Sequence, residues 1–144
     1  MNVPAKLSTF LTRAWQRDGA LALLRVWLGV VMIIHGNSKF FGDKSGMTEN
    51  LSNLGFPAPE VFAWLAAFGE FGGGVLLVIG LLTRPAAILV GITMSVAAFV
   101  AHGGDPFAKK ELALAYLVMA IVVAIAGPGK MSIDNGLFGR RKGG

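Results

Sequence analysis

The side chains able to do chemistry in this sequence are few, and the most telling stand inside long apolar runs. Arg25 and Glu70 each interrupt such a run, where a charge costs about 2.5–3.5 kcal/mol at a membrane-helix centre on insertion scales. Groups that carry this cost turn toward the interior of a helix bundle. At about 1.5 Å per residue, Arg25 falls roughly 8 Å into the membrane from the end where its run begins, and Glu70 roughly 18 Å from that same face. One reading is a buried Arg25–Glu70 ion pair that orients a polar cavity. The other has Arg25 snorkelling to the headgroups while Glu70 is protonated or bonded to a neighbouring helix. A buried carboxyl is suited to accept and donate protons.

His35 follows Arg25 by ten residues, which at 3.6 residues per turn leaves the two side chains less than a quarter turn apart. It also comes near the depth of Glu70, so His35 is expected to be the nearer partner, with Arg25 below. Lys39, four residues further, shares the His35 face. A second group gathers past the third apolar run: His102, Asp105, Lys109, Lys110 and Glu111, with Tyr116 one to two turns into the fourth. It reads as an outward-facing polar cluster, or as ordinary helix ends in the headgroup layer with Tyr116 as an interfacial anchor.

The elements that position these groups follow from composition. Apolar residues make up 54% of the 144 and charged residues 15%, against about 25% charged in soluble domains. Four apolar runs, residues 20–36, 61–82, 85–101 and 112–127, lack the one-sided polar stripe of a soluble bundle helix. A span needs about 20 residues and at least about 17, so the second run is comfortable and the fourth marginal. The expectation is an all-α membrane protein, a single domain over 1–144 built as a four-transmembrane-helix bundle. Breakers agree: Gly55, Pro57 and Pro59 precede the second run, Thr83-Arg84-Pro85 follows it, and Gly127-Pro128-Gly129 closes the fourth. Residues 37–60 form a longer loop, able to cover a site, with a short interfacial helix over 48–54 and Phe56 and Phe62 near the headgroups.

Net charge is +5, yet the cations sit at the ends of apolar runs and signal topology rather than nucleic-acid binding. With four spans, Lys6, Arg13, Arg17, Arg84, Lys130, Arg140, Arg141 and Lys142 share one side. Lys39, Lys44, Lys109 and Lys110 share the other. Eight against four places both termini in the cytoplasm under the positive-inside rule, in a bacterial inner membrane. The first run has the basic flank of a signal peptide without a small-x-small cleavage pattern, so its retention is expected. The absence of cysteine excludes disulfides, thiolate metal sites, covalent haem attachment and CxxC chemistry, and no other metal site is evident.

Small residues mark close packing. Gly69-x-x-x-Gly73 on the second helix has the spacing that lets backbones approach, and Gly72-Gly73-Gly74 beside Glu70 leaves room for another group, such as a quinone ring. A faint internal echo pairs His35-Gly36 and Phe40 with His102-Gly103 and Phe107, preceded by Gly29 and Met32 or Gly91 and Met94. It suggests two parallel helix hairpins, or chance.

Leu24-Arg25, Gly29, His35-Gly36-x-x-Lys39, Gly55-x-Pro57, Glu70 with Gly73-Gly74, Gly80-Leu81-x-Thr83-Arg84 and Gly127-Pro128-Gly129-x-x-Ser132-x-Asp134 follow one another in an order that resembles the DoxX family. The likeness runs from about residue 20 to 136. It implies a four-helix integral membrane protein of a family whose founding members look like the small subunit of a thiosulfate:quinone oxidoreductase. Others are linked to membrane redox and oxidative-stress complexes. Arg25, His35, Lys39 and Glu70 match recurring positions of the family, while no thiol is present to carry a sulfur intermediate.

Two functions compete. The chain is a subunit of a quinone-linked redox complex, in which Arg25, His35 and Glu70 line a cavity that binds quinone. Alternatively it is a scaffold or assembly partner whose buried polar groups fix helix register. Haem b between His35 and His102 is a weaker reading, because haem pockets sit deeper than helix ends. Solute transport would require an oligomer of such short bundles. The expected partners are the lipid bilayer and other protein subunits or further copies of the chain, not nucleic acid.

Overall fold

Helix ends in this chain fall at residues that cannot continue a helix. The computed structural model describes residues 14–139 and places there α1 (Ala14–Phe41), α2 (Ser45–Asn53), α3 (Pro59–Ile79), α4 (Thr83–Val96), α5 (Phe107–Ala126) and α6 (Ile133–Phe138). A π-helical turn, Ala97–Ala101, extends α4. Among the described residues there is no strand. Pro59 opens α3 in the first turn, where its missing N–H is no loss. Gly80 ends it at φ 71°, in the left-handed region that glycine enters without a Cβ penalty.

The helices overrun the apolar runs, because polar residues that favour helix extend them beyond the hydrophobic stretch. The first continues to Phe41 through Lys39, and α5 begins at Phe107, directly after Pro106. The short helix expected over 48–54 is α2, displaced by a few residues. Three stretches are long and apolar enough to cross a membrane: Gln16–Phe41, Pro59–Ile79 and Thr83–Ala101. The 20-residue α5 opens on Lys109, Lys110 and Glu111, so its uncharged part, 112–126, falls short of the minimum of about 17 residues.

Packing runs in a ring: α1 on α3, α3 on α4, α4 on α5, and α5 back on α1. Leu28, Met32, Leu77, Val90 and Val123 fill the centre, with Ala86, Ala87 and Ala120 where helices come close. Large apolar side chains such as Trp27, Ile34, Phe68, Ile92, Phe99 and Ile125 point outward. So much exposed apolar surface suits lipid, not water.

Glycines set the approach of α3 to both neighbours. A Cβ on Gly29 would stand 2.7 Å from the Gly74 carbonyl oxygen, and one on Gly36 would stand 2.5 Å from the Phe71 nitrogen. The α1–α3 contact is therefore backbone on backbone. Gly69 and Gly73 serve the other side, where a Cβ would meet Thr93 Oγ1 at 2.5 Å and the Val90 side chain at 3.0 Å. Glu70 is carried between these two tight seams.

Candidate functional site

The bundle holds two polar clusters, one at each end. At the end where α1 begins, Arg25 is buried, and Nη1 donates to the carbonyls of Leu77 at 2.6 Å and Val78 at 3.3 Å. These belong to the last turn of α3, where the helical ladder runs out and the Leu77 carbonyl also accepts the Gly80 N–H at 3.3 Å. Nη2 donates to the Met131 carbonyl at 2.6 Å, tying down the segment after α5. Asp134 completes the arrangement: its carboxylate accepts the N–H of Leu82 and of Thr83, each at 2.8 Å, and its own N–H donates to the Gly80 carbonyl at 2.9 Å. Burial alone would raise the Asp134 carboxyl, but the hydrogen bonds from Thr83 and Leu82 and the Arg25 charge outweigh it and hold it below the usual carboxylate range.

Arg25 therefore neither pairs with Glu70 nor snorkels, as the sequence had suggested it would do one or the other. Its guanidinium reaches the carbonyls that end α3. The arrangement is a clasp joining α1, the α3–α4 turn and the chain after α5.

At the other end the four long helices surround a cavity of about 180 Å³. One face of α1 supplies Met32, His35 and Lys39, and α3 supplies Glu70. From α4 and the π-helical turn come Met94, Ala97 and His102, and from α5 come Lys109, Leu112, Ala113 and Tyr116. Such π-helical turns are frequent at functional sites. Lys39 Nζ stands 2.7 Å from Glu70 Oε1, while Glu70 Oε2 is buried without a hydrogen-bond partner. The His35 and Tyr116 rings lie 5.9 Å apart. His102 Nδ1 is 2.9 Å from Asp105 Oδ2, and Lys109 Nζ is 3.6 Å from the other Asp105 oxygen. The His102 hydrogen bond, helped by the charge of Lys109, keeps the Asp105 carboxyl low against the opposing effect of burial.

The structure thus gathers His35, Lys39 and Glu70 and leaves Arg25 out. Lys39, not His35, is the partner of Glu70: its longer side chain spans the gap, while His35 faces Tyr116. His102 and Tyr116 join from the outer cluster and Asp105 backs His102, but Glu111 is exposed and does not line the cavity. Met32 and Met94 were legible only as members of the internal echo, and Lys109 only as a topology cation. Helical spacing was the available signal: Met32, His35 and Lys39 stand at i, i+3 and i+7, as do Lys109, Leu112 and Tyr116 at i, i+3 and i+7.

A wider groove of about 610 Å³ lies between α2 and the start of α3, lined among others by Asp43, Thr48, Glu60 and Trp64. It is open to solvent, and two of its charged groups, Asp43 and Lys44, are engaged within the chain. Asp43 accepts from Ser45 Oγ at 2.6 Å and Ser45 N–H at 2.9 Å, and Lys44 Nζ stands 3.8 Å over the Trp64 ring. Glu70 Oε2, buried and without a hydrogen-bond partner, belongs to the smaller cavity. Phe56 and Phe62, expected at the headgroups, pack on each other at 5.1 Å.

Comparison with known proteins agrees with this architecture. The DoxX family profile matches residues 20–103. An uncharacterized protein of Haemophilus influenzae is 33% identical over 82% of this chain and 90% of its own length. The putative oxidoreductase CatD of Bacillus subtilis is 32% identical over 85% of this chain and 90% of its own. The inner membrane protein YphA of Escherichia coli is 29% identical over 82% and 90%. No solved structure matches the chain. An all-helical bundle with apolar outer faces, matched by this profile and these relatives, is a multi-pass inner-membrane protein, and the chain belongs to the DoxX family.

Proposed function

We propose that the chain is the membrane subunit of a quinone-linked redox complex, with both termini in the cytoplasm, and that the cavity of His35, Lys39, Glu70 and Tyr116 receives the quinone ring. The observation that carries this reading is the buried Glu70 oxygen without a partner, beside an ammonium and above a floor of two methionines. Ligand sites are mostly apolar with a few placed polar groups. A cavity of about 180 Å³ lies below the ~300–1,000 Å³ of drug-sized pockets, which suits a ring headgroup. A bound quinone would supply two-electron chemistry. Lys39 and Tyr116 would donate hydrogen bonds to its ring oxygens, and Glu70 Oε2 would accept one from a hydroxyl of the reduced form. With no cysteine in the chain, electrons would enter from a partner subunit. The name of the Bacillus subtilis relative, putative oxidoreductase, is consistent with such a role.

The orientation rests on the count of cations at the chain's two sides. Lys6, Arg13, Arg140, Arg141 and Lys142 lie outside the described residues and enter that count by sequence alone. Titration of the chain in nanodiscs with ubiquinone-1 tests the ligand: saturable binding that weakens in Glu70→Gln is expected, and no saturable binding in the wild type sinks the reading.

A second reading, a scaffold for a larger complex, is favoured by the Arg25–Asp134 clasp, where buried charge serves architecture alone. Gentle-detergent purification should then recover a stoichiometric partner even from Glu70→Gln cells. Loss of that partner in the variant would count against a purely structural role.

A further inference from the structure

We infer that the cavity is blind: ligand and water reach Glu70 only from the end of the bundle where α1 and α4 finish, and the described residues offer no path to the opposite face. This deepens the reading of the cavity as a ligand site and rests on it, but is independent of the ligand's identity.

Exposure falls from mouth to floor, with His35, one turn below Lys39, still exposed. The side chains of Lys109, His102 and Lys39 are 66%, 45% and 40% exposed. Glu70, Met32 and Met94, deeper on three different helices, are 2%, 0% and 5% exposed. Beneath them Leu28, Leu77, Val90 and Val123 close the centre of the bundle at 0%, one from each long helix. Between the level of Glu70 and that of Arg25, residues 26–31, 71–79, 85–93 and 117–126 include no ionisable side chain. The backbone-on-backbone seam at Gly29 and Gly74 closes the α1–α3 side. Below the plug, the Arg25 guanidinium is held by carbonyls of Leu77, Val78 and Met131. Interiors packed to this density leave few voids that hold water, and a polar solute crossing the apolar layer would lose its hydrogen bonds without replacement.

The chain has no cysteine, so single introduced thiols report access cleanly. Ala97→Cys and Ala113→Cys place a thiol in the cavity wall, and Val90→Cys places one in the plug. Gly46→Cys and Gly136→Cys, where an added Cβ meets nothing within 4 Å, report the two faces. Full-length variants in right-side-out and inverted vesicles are treated with the charged, impermeant thiosulfonate sulfonatoethyl methanethiosulfonate. Ala97→Cys and Ala113→Cys should react from the Gly46 side at least about tenfold faster than from the Gly136 side, and Val90→Cys should need rare local opening to react from either.

Labelling of the cavity thiols from the Gly136 side, or of Val90→Cys at the rate of Ala97→Cys, overturns the inference. So does reaction of the cavity thiols with an uncharged, lipid-soluble maleimide alone, which would mean entry from the bilayer. Val123→Cys substitutes for Val90→Cys if that variant does not fold. Ubiquinone-1 that fails to slow labelling of Ala97→Cys counts against the quinone reading while leaving one-sided access intact.

Discussion

The two polar clusters bury charge to different ends. Around Arg25 and Asp134 the partners are backbone groups from three separate segments, and the hydrogen bonds replace those that helix termini lack. Around Glu70 one carboxylate oxygen meets a lysine and the other meets nothing, next to open space. A buried ionisable residue in a membrane helix is a functional hypothesis by default. Each end leaves a buried polar atom unpartnered, Arg25 Nε and Thr83 Oγ1 at one and Glu70 Oε2 at the other, and what separates the two is the open space beside Glu70.

The strongest way to break this distinction is Arg25→Ala. Hydrogen bonds to charged groups contribute about 1.5–3 kcal/mol each, so loss of the contacts to Leu77 and Met131 should destabilise the bundle by at least about 3 kcal/mol. Thermal unfolding in detergent would measure it. A wild-type-like melting temperature with lost ligand binding would move Arg25 from clasp to site.

Glu70→Gln should do the reverse. It keeps the shape of the side chain, so unfolding should shift little, while ubiquinone-1 affinity falls about tenfold, or about 1.4 kcal/mol. An unfolded variant would make Glu70 a second clasp.

Asp134→Asn is expected to cost about 1 kcal/mol, the scale of one net hydrogen bond, and to change the response to acid. The folded carboxyl lies below its unfolded value of about 3.9. Its stabilising contribution is therefore complete above that value and is lost as pH falls through the folded pKa. Melting temperatures taken from pH 6 downward should fall below about pH 4 in the wild type, and less steeply in Asp134→Asn.

The smallest expected change is in the double variant Lys39→Met, Glu70→Leu. Replacing both partners of a buried ion pair by apolar groups is often neutral or stabilising, and here Glu70 is buried while Lys39 is 40% exposed, so stability should hold within about 1 kcal/mol, whereas Glu70→Leu alone leaves Lys39 unpaired and should cost more. A double variant as damaged as Arg25→Ala would erase the contrast between the two ends.

Much of the fold was legible because it follows from local quantities. Hydropathy marked the membrane helices, and Pro59 and Gly127 marked two of their ends, whereas α3 stops at Gly80, inside the run read as 61–82. Gly69, Gly73 and Gly74 were readable as packing residues, though not that Gly74 faces α1 while the other two face α4. His35, Lys39 and Glu70 were readable as one group because helical rise and rotation give depth and face. Depth counting failed for Arg25 because its partner, the Met131 carbonyl, is a backbone atom 106 residues away, and backbone acceptors carry no residue-type signal.

The sequence by itself determined an all-α membrane protein with charge inside its apolar runs, since burial cost and helical period act through residue type and spacing alone. Which charge meets which was decided only by the tertiary structure. Rotation and register of α1 against α3 are set where Gly29 and Gly36 meet Gly74 and Phe71, and that contact brings Lys39 onto Glu70 and Arg25 onto the end of α3.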